Sequence, residues 1–132
     1  MIETLTPRQL PALMAMVVVA CGSGATAIDP STFAGTWVGE NIVMTVTDTG
    51  AHLEMPCAHG DLDGAIAQNP FSVGGTFAHD GGPAVGDGHP ALYTGRVVGA
   101  TMTLDIRLTD TNDSAGSFTL TRGPARSMAQ CV

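Results

Sequence analysis

The sequence predicts a small antiparallel up-and-down β-barrel of about seven or eight short strands. Apolar and polar residues alternate with period two through Ile42-Val43-Met44-Thr45-Val46-Thr47 and through Thr101-Met102-Thr103-Leu104-Asp105-Ile106-Arg107-Leu108. That pattern turns one face of each run toward a core and the other toward water. Seventeen glycines and eight prolines divide the chain into pieces of this length, and those residues supply turn conformations rather than helix interiors. Short strands joined by tight turns pair in sequential order, and closing such a meander removes its exposed edges. A two-sheet β-sandwich is the alternative.

The elements follow in order. After a polar lead-in over 28–32, residues 33–40 form the first strand, with Gly35 allowing close backbone approach beside Trp37, the single tryptophan. Gly35-Thr36-Trp37 resembles the opening Gly-x-Trp strand of lipocalins and the Gly-Thr-Trp of avidin-like barrels, which implies that Trp37 plugs one end of a barrel as core. Ile42, Met44 and Val46 face inward on the second strand. Asp48-Thr49-Gly50 supplies the turn, and the chain returns through 51–55 with Leu53 and Met55 inward and His52 and Glu54 on the solvated face. Pro56 limits further pairing. Asp61-Leu62-Asp63-Gly64 lacks the oxygen set of an EF-hand loop and is expected to be a turn.

Phe71, Val73 and Phe77 share a face of the next strand. Residues 78–90 carry four glycines and two prolines with no periodicity, and are expected to form the longest loop. Residues 91–98 and 101–108 make a hairpin turning at Gly99-Ala100, with Met102, Leu104, Ile106 and Leu108 inward and cross-strand neighbours satisfying Asp105 and Arg107. Residues 110–116 turn, 117–122 close the sheet, and Gly123-Pro124 ends it.

Composition removes several functions. At 132 residues and 13.4 kDa the chain is one domain. The formal charge is −7 with no lysine, which argues against nucleic acid, whose phosphates need a cationic surface. It argues equally against electrostatic docking on anionic lipid. No Gly-x-Ser-x-Gly, Cys-x-x-Cys, His-Glu-x-x-His or phosphate-cradling Gly-Lys motif occurs, and no nucleophile with an orienting partner is visible in the spacing, so the chain reads as no enzyme.

The apolar run over 10–20 fits the core of a secretory signal and is too short to span a bilayer. Val18-Val19-Ala20-Cys21 resembles the bacterial lipobox, although Val18 stands where leucine is usual. The resemblance implies a signal peptide over 1–20, lipidation of Cys21, a flexible tether over 21–32 and a barrel domain over 33–132. The protein would then be a periplasmic lipoprotein anchored to the outer membrane by that lipid alone. Plain secretion after Ala25-Thr26-Ala27 and an uncleaved buried helix are the alternatives.

Either cleavage route takes Cys21 out of the redox count and leaves Cys57 and Cys131, which an exported chain is expected to join as a disulfide. Two unpaired thiols are the alternative. Cys-Ala-His-Gly at 57–60, His-Asp-Gly-Gly-Pro at 79–83, His-Pro-Ala-x-Tyr-x-Gly-Arg-Val at 89–97, Phe-Thr-Leu-Thr-Arg-Gly at 118–123 and the penultimate Cys131 together resemble a family of small exported bacterial β-barrel proteins. The resemblance spans about residues 33–132 and implies the same fold and disulfide; it brings no activity with it.

Two functional expectations remain. One is a non-catalytic binding or cell-envelope module, in which the barrel mouth or the 78–90 loop meets a small apolar ligand or an envelope partner. The other is a Zn or Cu site built from His59, His79 and His89 with nearby aspartates, at spacings that match no recognised ligand pattern. Inward Met44, Met55 and Met102 point to an interior filled by side chains.

Overall fold

The computed structural model describes residues 24–80 and 88–128. The signal segment, Cys21, Cys131 and the connection over 81–87 lie outside the described residues.

Among the described residues ten strands occur in chain order: β1 (Thr26–Ala27), β2 (Gly35–Gly39), β3 (Ile42–Val46), β4 (Ala51–Met55), β5 (Ala58–Leu62), β6 (Gln68–Asn69), β7 (Phe71–His79), β8 (His89–Val98), β9 (Thr101–Leu108) and β10 (Ser114–Arg122). Eight of them close an antiparallel barrel in the order β10-β2-β3-β4-β5-β7-β8-β9, while β1 and β6 pair apart from it. Each barrel strand thus pairs with its sequential neighbours, β10 joins β2, and the meander expected from the alternation is the architecture observed. The sandwich alternative is set aside by that closure.

The core follows the pleat. Along β9 the residues alternate exposed and buried through the whole strand, so Met102, Leu104, Ile106 and Leu108 fill the interior while Thr103, Asp105 and Arg107 face out. Outside, the Ser117 hydroxyl donates to the Asp105 carboxylate, and Arg107 Nη1 donates to the Asn112 carbonyl at 3.1 Å. Ile42, Met44 and Leu53 are fully buried. Trp37 is too; its indole N–H donates to the Phe33 carbonyl at 2.9 Å, and the Phe33 ring meets it edge-on at 6.2 Å. Trp37 is core, as its position in the opening strand implied.

Three departures from the sequence expectations matter. Thr26 and Ala27, within the expected tether, pair with Asn69 and Gln68, and the Ile28 amide donates to the Ala67 carbonyl at 3.0 Å. The expected loop over 78–90 is shorter at both ends, because β7 continues through His79 and β8 begins at His89. Pro90 is accommodated inside β8 through its carbonyl, which accepts from the Thr109 amide at 2.9 Å. Finally, Ile66, in a segment without periodicity, is fully buried.

Candidate functional site

One end of the barrel is built from the turn at Glu40 and Asn41 between β2 and β3, the turn at Pro56 and Cys57 between β4 and β5, the end of β7, the start of β8 and the 109–113 turn. At this end β10 outruns β2. It is paired with β9 from Ser114 to Thr121, but with β2 only at Thr121↔Val38 and Arg122↔Trp37. The two strands still meet closely at Gly39, where a Cβ would stand 2.6 Å from the Thr119 carbonyl oxygen. Beyond that point the wall carries a notch, with Glu40 and Asn41 on one side and the start of β10 on the other.

A recess of about 780 Å³ occupies this notch and the barrel end behind it. Met55, Ala58, Phe77, Ala115 and Phe118 form its apolar walls, and Glu40, Asn41, His79, Ser117 and Thr119 its polar margin. The volume lies within the range that holds a small molecule. Ligand room stops there, because Met44, Leu53, Met102, Leu104, Ile106 and Leu120 are buried and fill the barrel interior. The expectation of a filled barrel therefore holds for Met44 and Met102. Met55, however, is only half-buried and lines the recess.

The candidate metal-ligating histidines are not brought to one point. His59 pairs across from Ala78, while His79 pairs across from Ala58; successive strand residues face opposite sides, so the two imidazoles lie on different faces of the wall. His59 Nδ1 meets Asp80 Oδ1 at 2.7 Å. The His79 ring sits edge-on to Phe77 at 5.5 Å, on the recess side. His89 Nδ1 meets Asp110 Oδ2 at 2.8 Å, and this contact holds the Asp110 carboxyl below its ordinary range. Among the described residues no group of three or more His, Cys, Asp or Glu side chains could hold a metal ion.

The strand alternation places His52 on the solvated face, yet it is the most heavily engaged imidazole of the described chain. His52 lies directly across from Asp61 on the outer wall. Its Nδ1 meets Asp61 Oδ1 at 2.7 Å and its Nε2 meets Glu54 Oε2 at 2.5 Å. Two carboxylates can both accept only from a doubly protonated ring. The contact with Asp61, then that with Glu54, raises the His52 pKa above its ordinary 6.5. His52 and its two carboxylates brace the outside of the wall and face away from the recess.

Cys57 lies on the lining of the recess, next to Pro56 at the turn. Glu40, Ala115 and Phe118 were not singled out from the sequence, although the inward parity of Phe118 with Leu120 was available as a signal. No family model matches the chain, and no curated protein and no solved structure is significantly similar to it.

Proposed function

We propose that this protein is an exported small barrel that binds, without catalysis, a small and largely apolar molecule at the notched end of the barrel. The observation that carries this reading is the recess of about 780 Å³ walled by Met55, Ala58, Phe77, Ala115 and Phe118. Burying an apolar ligand there is favourable at about 25 cal/mol per Å² of apolar surface removed from water. The packed interior beneath confines the ligand to the barrel end. Native mass spectrometry of the protein purified from its own host tests the reading. An adduct of a few hundred daltons, released on unfolding and reduced by Phe118→Arg, is expected; bare protein that also takes up no apolar compound in titrations would overturn it.

Export, the lipid anchor at Cys21 and membership of the family of small exported bacterial barrels belong to the same proposal. So does the Cys57–Cys131 disulfide. What supports the disulfide is the path of the C-terminal segment: Arg126, Ser127 and Met128 line a groove together with Glu40 and Asn41, and those two residues also line the recess that Cys57 borders. Three further residues reach at most about 10 Å when extended, and Cys57 is not a free thiol. Incorporation of a palmitate analogue that disappears in Cys21→Ser is the expected result for the anchor. No incorporation would leave plain secretion.

A further inference from the structure

The charge around the recess narrows the ligand class. Among the described residues no charged side chain is buried, so an apolar body enters the recess and any charged head stays at its margin. Among the described residues, Glu40 and His79 are the ionisable side chains on the lining besides Cys57. Glu40 is exposed and takes part in none of the ion pairs of the described chain, which are those of His52, His59 and His89.

A carboxylate or phosphate head would call for an arginine or lysine here, and among the described residues neither lines the recess. The sequence has no lysine and five arginines. Arg96 and Arg122 lie toward the opposite end, paired with Thr103 and Trp37. Arg107 points out of the wall onto the Asn112 carbonyl. Arg126 lines the neighbouring groove on the outer side of the β10–β2 seam, which Glu40 and Asn41 border as well, and not the recess itself. Asp80 and Asp110 add further negative charge at this end, each beside a histidine.

We infer that the recess selects a cationic head group on an apolar body: an amphipathic amine whose chain packs against Met55 and Phe118 and whose ammonium sits against Glu40. The rings of Phe77 and Phe118 suit such a ligand as well, since an aromatic face attracts a cation. This selection rests on the binding reading above and deepens it.

Calorimetric titration with n-octylamine, 1-octanol and octanoate at pH 8, on the wild type and on Glu40→Gln, separates the two. The wild type is expected to bind octylammonium about fivefold tighter than octanol and octanoate more weakly than either, the size of effect an exposed charge pair produces. Glu40→Gln is expected to bring octylammonium and octanol within about twofold, in line with the loss of one such pair. Octanoate binding as tightly as octylammonium, or a preference for the amine that survives Glu40→Gln, would overturn the inference while leaving the binding reading intact. Heat from none of the three compounds would overturn both.

Discussion

The guanidinium of Arg122, on the last strand, lies over the indole of Trp37, on the first barrel strand, with its central carbon 4.4 Å from the ring centroid. The same side chain donates to the Ala34 carbonyl at 2.8 Å and to the Thr32 carbonyl at 3.2 Å. It thereby ties the two strands that close the barrel to the turn that leads into them, at the end away from the recess. A cation over an aromatic face contributes roughly 0.5–1 kcal/mol where the cation itself is exposed, as Arg122 is, and hydrogen bonds from a charged donor add to it.

Arg122→Ala is therefore expected to cost roughly 1–2 kcal/mol in urea unfolding. Arg122→Lys should recover less than half of that, because a lysine keeps the charge but loses the planar fork that reaches two carbonyls at once. Equal stability of the lysine variant and the wild type would show that charge alone accounts for the contact.

A second prediction concerns Gly60 and Tyr93. Tyr93 is fully buried, its hydroxyl donates to the Thr76 carbonyl at 2.6 Å, and burial pushes its pKa up strongly. The space its hydroxyl occupies is the space that a Cβ on Gly60 would fill. Gly60→Ala should destabilise by about 1–3 kcal/mol, as overpacking does, and Tyr93→Phe by about 1 kcal/mol for the lost hydrogen bond. In a double-mutant cycle the alanine should cost less on the Tyr93→Phe background. Simple additivity of the two changes would contradict the steric account.

The third prediction is a pH dependence. His52 has its folded-state pKa raised by Asp61 and then Glu54. A raised pKa means that the folded state holds the proton more tightly than the unfolded chain does, so the contribution is complete below about pH 6.5 and is lost as pH rises through the folded value. The melting temperature of His52→Gln should fall below the wild type at pH 5.5–6.5, and the gap should close in the alkaline direction. A gap that widens with pH would reverse the assignment. The ring is 44% exposed, so solvent screening keeps the effect small.

The proposed Cys57–Cys131 bond makes a fourth. Alkylation under denaturing, non-reducing conditions should leave the mass of the mature chain unchanged, whereas two added groups would rule the bond out. A loop of that span is worth about 4–4.5 kcal/mol in the chain-entropy model. Cys57→Ser is accordingly expected to lower the urea midpoint sharply.

Much of the fold was legible because period-two alternation survives wherever one face of a strand is buried and the other is wet. Ile42, Met44 and Val46 on β3 and the four inward residues of β9 are of this kind. The end of β7 at Ala78 and His79 and the start of β8 at His89 and Pro90 were not legible, because the glycines and prolines of 78–90 read as loop by composition, and only barrel pairing shows that the strands run on into that stretch. Ile66 was missed for the related reason that an irregular segment has no period. The site is the least legible part. Alternation says that Met55, Phe77 and Phe118 face inward, but not that strand register gathers them at one end, nor that β10 outruns β2 there to leave a notch.

Whether the notched end of this barrel takes a ligand is decided by following the methionine methyl resonances during a titration with 1-octanol. Met55 lines the recess, whereas Met44 and Met102 are packed in the interior and fully buried. Saturable shifts at Met55, with Met44 and Met102 nearly unmoved, are expected; no saturable shift, or equal shifts at all three, would rule the site out.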